Sequence, residues 1–212
     1  MNFDKARHNM VAQQVRSWDV IDKNILNAML QVQREEFVQV PQRKLAFADL
    51  ALPIGHDQSM MKPVVEGRML QSLDLQPDQL VLEIGTGSAY VTALLSKLVN
   101  YVHSIDVFAD FTTQAKQKLK ENHIDNVTCE TADFFTFEAQ QKYDRVIITG
   151  ALDALPEHLF DWLKPSGRIF AIIGEEPIME ARVYDSIDTY SSHFDTVVGK
   201  LIEANQPKTF KL

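Results

Sequence analysis

A chain of 212 residues, 45% hydrophobic and 24% charged, fits one domain with insertions and has the balance of an ordinary folded protein, not a disordered one. Its 29 Asp and Glu outnumber 21 Lys and Arg, a formal net charge of −8, and no basic stripe with interleaved aromatics occurs, so nucleic acid is not expected as a partner. The single cysteine, Cys129, excludes an internal disulfide and a cysteine cluster for zinc.

Cys129 reads as a small buried hydrophobe in a strand, and no metal is expected. The opening MNFDKARHNM lacks the apolar stretch of a signal peptide, and no run approaches the roughly 18 apolar residues that cross a bilayer. The expected setting is a reducing cytoplasm with no membrane partner.

In chain order, the first segment reads helical, with Asp22 as N-cap and Ile25, Leu26, Met29 and Leu30 at helical spacing. Residues 39–63 follow as a long irregular stretch containing Pro41, Pro53, Gly55 and Pro63. Loops of that length inside a compact domain are usually functional or disordered, and Phe47, Leu50, Leu52 and Ile54 are available to anchor this one. From residue 64 helices and strands alternate. Val64, Val65, Met69 and Leu73 mark a helix face, Leu80–Ile84 a buried strand, and Leu94, Leu95 and Leu98 the next helix. A second strand runs from Tyr101 to Ile105, a polar helix covers about 110–121, and short strands follow at Val127–Glu130 and Arg145–Ile148. Pro156 opens a helix ending near Trp162–Leu163, and Arg168–Ile173 is a fifth strand. Alternation of this kind predicts a parallel sheet covered on both faces. Residues 182–190 and 194–202 read as two extended segments, an antiparallel pair on one edge.

Three turns carry the chemistry. In VLEIGTGSAY, Val81 to Tyr90, a strand ends on Glu83 and the chain turns through Gly85 and Gly87 into a helix. Glycines there allow tight backbone angles and close approach of a ligand to the main chain. About 20 residues on, Asp106 ends the next strand, where nucleoside-binding folds of this type place a carboxylate for the ribose hydroxyls. The dinucleotide fingerprint would need glycine at position 90, where Tyr90 stands, and Glu83 would repel a pyrophosphate while tolerating a sulfonium with an ammonium group. S-adenosylmethionine is therefore preferred to a nicotinamide dinucleotide. Asp133, after the third strand, is placed to accept from the adenine amino group, or is a helix-capping or turn aspartate. Thr149-Gly150-Ala151, at the end of the fourth strand, borders the acceptor site or is a plain tight turn. The fold expected is a Rossmann-like methyltransferase: α/β, a doubly wound and mostly parallel sheet, an antiparallel C-terminal edge pair and N-terminal helices. The whole chain, 1–212, is expected as one domain, with N-terminal helices and acceptor-site loop in 1–63, a cofactor-binding core in 64–174 and C-terminal strands in 175–212.

From about residue 7 to 174 the chain resembles the protein-L-isoaspartate O-methyltransferase family. The likeness lies in MVAQQV (10–15), ILNAM (25–29), REEFV (34–38), AFADLALPIG (46–55), VLEIGTGSAY and YDRVIITGAL (143–152). The helices before the core and LPIG-x-x-Q are more specific than the glycine turn. The resemblance implies methylation of the α-carboxylate of isoaspartyl residues in damaged peptides or proteins. It also implies cofactor binding at Glu83, Gly85, Thr86, Gly87, Asp106, Val107 and Asp133.

Two departures stand out. Gly87-Ser88-Ala89-Tyr90 replaces the family's usual G-S-G-Y, and Gln58-Ser59-Met60-Met61-Lys62-Pro63 aligns with a loop read as Q-T-I-S-x-P. Ser59 thus takes the threonine position and Met61 the position of a serine that contacts the acceptor carboxylate. Methionine donates no hydrogen bond and makes a pocket more apolar. A carboxylate of pKa about 4 is ionised at neutral pH, so methyl transfer to it needs alignment and exclusion of water, not a general base. Ser59 or Lys62 would then hold the acceptor. The alternative is a cofactor-binding homologue with a changed acceptor or no catalysis. His56, in the same loop, reads as a surface residue with a weak claim on the acceptor site.

Overall fold

The computed structural model describes residues 2–202. An α-helix, α1 (Phe3–Asn9), continues as one π-helical turn, Met10–Val15, and α2 (Lys23–Gln31) starts where Asp22 accepts from the Asn24 and Ile25 backbone amides. Residues 39–63 prove largely ordered. A 3₁₀ turn at Val40–Leu45 leads into a small antiparallel hairpin of β1 (Leu52–Gly55) and β2 (Gln58–Met60), and α3 (Pro63–Ser72) follows. The turn of that hairpin is formed by His56 and Asp57, both with left-handed backbone angles.

The main sheet contains β3 (Leu80–Ile84), β4 (Tyr101–Asp106), β5 (Val127–Thr131), β6 (Tyr143–Leu152), β7 (Leu163–Glu175), β8 (Ile178–Ser186) and β9 (Thr189–Thr196). Helices α4 (Tyr90–Ser96) and α5 (Ala109–Glu121) follow β3 and β4. The strand order is β5-β4-β3-β6-β7-β8-β9, parallel as far as β7 and antiparallel through β8 and β9. Strand order reverses between β3 and β6, which opens a crevice outside their carboxyl ends.

Side chains alternate across the sheet and build two cores. Val81, Ile147, Phe170 and Ile172 face the helices, whereas Leu82, Val146, Ile148, Ile169 and Ala171 face the opposite side. That second side differs from expectation. Pro156 caps a short 3₁₀ turn, Glu157–Trp162, in place of a full helix, because β7 takes over at Leu163. Leu155, Leu159 and Trp162, with Phe134 from the chain after β5, cover this face. Cys129 is buried in β5, and burial pushes its thiol up to about 12. The edge pair also lies nearer the amino terminus than predicted. Beyond β9 the chain crosses back to β6, where the Ala151 amide donates to Gly199 O and the Leu201 amide to Ala151 O. Residues 203–212, part of the region assigned to C-terminal strands, lie outside the described residues. Among the described residues no helix is long and apolar enough to cross a membrane.

A fully buried Arg34 fastens the long connection to the core. It donates to the Ala46 carbonyl at 2.9 Å and the Met61 carbonyl at 2.7 Å, pairs with buried Glu66 of α3, and sits 4.7 Å above the Tyr90 ring. Removing one partner of a buried pair leaves the other charge uncompensated, which typically costs roughly 3–5 kcal/mol. Arg34→Ala is therefore expected to lower unfolding free energy by about that amount in urea denaturation, with a loss below about 1 kcal/mol counting against the anchoring role.

Candidate active site

A cleft lies in the crevice. Its floor is the glycine turn after β3. The Gly85 amide donates to Ile105 O at 2.8 Å, and Thr149 of β6 donates to Gly85 O at 2.7 Å. Gly85 has φ +98, and a Cβ there would stand 2.2 Å from Thr149 Oγ1, so the close strand-to-strand approach requires glycine. At Gly87 the backbone amide donates to Asp106 Oδ2 at 2.8 Å, while Asp106 Oδ1 accepts from the Phe108 amide at 3.0 Å. Asp106 is thereby fixed at the end of β4 with acceptor capacity left on both oxygens. Burial raises its pKa, against the two backbone amides that lower it.

The structure sorts the sequence-derived residues into groups. Gly85, Gly87, Asp106 and Val107 line the cleft together with Ser59 from the hairpin. Thr86 and Met61 line a smaller recess behind it, shared with Met60, Glu66 and Ser88; Ser59, Gly85 and Gly87 border both spaces. Glu83 lies beneath the turn, completely buried, and lines neither space. Its Oε2 accepts from Thr92 Oγ1 at 2.5 Å and Ser104 Oγ at 2.6 Å, while Oε1 has no hydrogen-bond partner among the described residues. Asp133 accepts from the Phe135 amide at 3.0 Å in a local turn and borders a separate shallow depression, although neighbouring Ala132 reaches the cleft. Lys62 is not brought to Ser59 and Met61. It is exposed, and lines a different surface hollow with Trp18, Asp49 and Arg68.

Thr149 and Gly150 do border the cleft, but the room left by a small residue at Gly150 is occupied. A Cβ there would meet the Leu201 backbone nitrogen at 2.9 Å. Four cleft residues that sequence reasoning missed, Val198, Gly199, Leu201 and Ile202, come from this returning segment, and Phe108 and Phe111 come from the start of α5. The two phenylalanines were readable in principle, since both lie within about a turn of helix after Asp106; the returning segment carries no such signal.

Burial pushes the Glu83 carboxyl up to about 8 from 4.5, although Ser104 and Thr92 hydroxyls donate to it. A carboxyl raised on folding stabilises the fold while protonated. That contribution is full below pH 4.5 and is lost as pH rises through about 8. Glu83→Gln keeps an acceptor for both hydroxyls but cannot ionise. Between pH 5 and 8 the unaltered protein should lose stability relative to this variant, by on the order of a few kcal/mol in paired urea titrations. Parallel pH profiles would remove the assignment.

The family model described as protein-L-isoaspartate(D-aspartate) O-methyltransferase (PCMT) matches residues 5–198. A protein-L-isoaspartate O-methyltransferase of Petrotoga mobilis is 37% identical over 176 residues, covering 82% of this chain and 83% of the relative. A protein-L-isoaspartate O-methyltransferase 2 of Rhodopseudomonas palustris is 40% identical over 161 residues, covering 76% and 74%. Among solved structures, a candidate protein-L-isoaspartate O-methyltransferase of Plasmodium falciparum, in complex with S-adenosyl-L-homocysteine, superposes with a TM-score of 0.81. It is 19% identical and covers 94% of this chain and 99% of its own, a likeness of fold. With the glycine turn, Asp106 and the hairpin gathered at one crevice, and a family model spanning all three, the chain belongs to the protein-L-isoaspartate(D-aspartate) O-methyltransferase family.

Proposed function

We propose that the protein transfers a methyl group from S-adenosylmethionine to the free α-carboxylate of L-isoaspartyl residues in damaged peptides and proteins. The observation that carries this reading is the convergence of Asp106, the glycine turn and Ser59 on one cleft at the strand carboxyl ends. The donor set suits the cofactor. Asp106 has capacity for a ribose diol, and Gly85 and Gly87 bring the main chain to the cleft surface. When bound, the cofactor supplies an electrophilic methyl on a sulfonium. An acceptor carboxylate oxygen forms the new bond to carbon as the carbon–sulfur bond breaks with its electron pair going to sulfur, giving a methyl ester and a neutral thioether. No proton moves, so the protein's contribution is alignment and exclusion of water.

Ser59 is the hydroxyl best placed to orient the acceptor. It is exposed, borders both cleft and recess, and sits on β2 of a hairpin whose base is anchored by the buried pair Leu52 of β1 and Met60 of β2. Met61 contributes differently. Its side chain is buried in the recess and its carbonyl is held by Arg34, so it makes an apolar wall where a hydroxyl would be. Lys62, on the other surface, takes no part. The curated relatives bear the name of the isoaspartate enzyme, which favours retained catalysis over a cofactor-binding homologue that has lost or changed its acceptor. A cytoplasmic setting fits a repair role.

Titration calorimetry with S-adenosylhomocysteine and transfer of labelled methyl to an isoaspartyl peptide test the proposal. Asp106→Asn should weaken thioether binding by roughly tenfold to a hundredfold, the worth of hydrogen bonds to a charged group. Equal affinity in this variant would refute the ribose role. Ser59→Ala should lower the transfer rate by about tenfold with the cofactor affinity held, and Met61→Ser should raise it. No transfer by the unaltered protein despite normal thioether binding would overturn the acceptor assignment alone.

A further inference from the structure

Among the described residues the β1–β2 hairpin pairs with no other strand, and His56 at its tip touches the far side of the cleft. The His56 ring lies flat on Phe108, with centroids 4.0 Å apart and planes 9° from parallel, and meets Phe111 edge-on at 5.2 Å. Its Nε2 stands 3.0 and 2.9 Å from the two carboxylate oxygens of Asp110. Phe108 and Phe111 line the cleft from the β4–α5 side, and Ile54, Gln58 and Ser59 line it from the hairpin. His56 is not itself a lining residue. It joins the two walls from outside.

Two further observations give this contact a purpose. His56 and Asp57 have φ of 51 and 55, the left-handed pair that a two-residue hairpin turn requires, and this turn carries the His56 ring outward from the hairpin tip. At the hairpin base, Leu52 and Met60 are buried, whereas at the tip the His56 stack and its Asp110 bond are the contacts that tie the turn to α5. The base fixes where the hairpin starts; the tip fixes how far it closes.

We infer that His56 is a positioning residue, latching the hairpin to Phe108 and Asp110 so that Ser59 is held against the cleft and a bound nucleoside thioether is slow to leave. The inference rests on the cofactor reading above. An exposed His–Asp pair adds little to global stability, so the latch should show in ligand release more than in unfolding. An aromatic stack is worth a few-fold to tenfold in an equilibrium, which sets the size of the effect.

The test is the dissociation rate of S-adenosylhomocysteine, followed by stopped-flow displacement, with melting temperature and amide exchange of residues 54–60 recorded on the same samples. His56→Ala should speed release by about threefold to tenfold and raise exchange in the hairpin, with the melting temperature unchanged. His56→Phe, which keeps a flat ring but loses the Asp110 bond, should bring release back to within about twofold of the unaltered protein. Unchanged release in His56→Ala, or no recovery in His56→Phe, overturns the latch while leaving the cofactor reading intact. Failure of the unaltered protein to bind the thioether at all removes both.

Discussion

A guanidinium with no access to solvent is the constraint on which the upper half of the site depends. Arg34 cannot shed its proton, so it must find compensation inside the protein, and it finds it in Glu66, two backbone carbonyls and the face of Tyr90. Those partners belong to four different stretches of chain. The 3₁₀ turn before the hairpin, the residue after it, α3 and α4 are thus held by one side chain. A second buried pair, Arg7 with Glu35, ties α1 to the neighbouring position. Moving the acceptor hairpin as a unit would strip partners from a buried charge, so its freedom is confined to the tip.

Beneath that assembly the cofactor half of the site is built by different physics. The turn after β3 owes its shape to main-chain bonds and to the lack of a side chain at Gly85, where Thr149 crosses within van der Waals reach. Asp106 is oriented by two amides, one of them Gly87 in the turn it faces. Glu83 acts from below through Thr92 and Ser104, with Thr86 joined to Ser104 at 2.6 Å. The cleft and the recess meet at Ser59, which the proposed function places between donor and acceptor. Chemistry that needs no proton transfer is well served by such an arrangement, since rigidity and exclusion of water are all it asks.

Much of this was legible in the residues. Strand runs such as Leu80–Ile84, apolar except for Glu83, pointed to a buried parallel sheet, and the Gly85–Gly87 turn with Asp106 following marked the crevice. Asp22 as N-cap was a local signal read correctly, because the bond it makes is two and three residues away. The hairpin was not legible. Its two central residues are His and Asp, not the Asn-Gly or Gly-Gly that advertise such a turn, and the contacts that hold it come from Phe108 and Asp110. Lys62 lies past the alternation of β2, directly before α3, and lines the hollow with Trp18, Asp49 and Arg68 rather than the cleft. The segment from Val198 to Ile202 reads as a strand because it is apolar, yet it spends that character on the cleft wall.

That last segment bears on how the protein comes into being. Synthesis proceeds from the amino terminus, and Val198–Ile202 is made after every strand of the sheet. A nascent chain that has already folded its sheet, its glycine turn and Asp106 still lacks one side of the crevice, including Leu201, whose backbone packs against Gly150. Among the described residues, this wall of the cleft is therefore added after the strands, by residues that contribute only a short ladder to β6. Capture of a cofactor in the proposed cleft would then follow formation of the sheet, and a chain lacking this stretch would lack that wall.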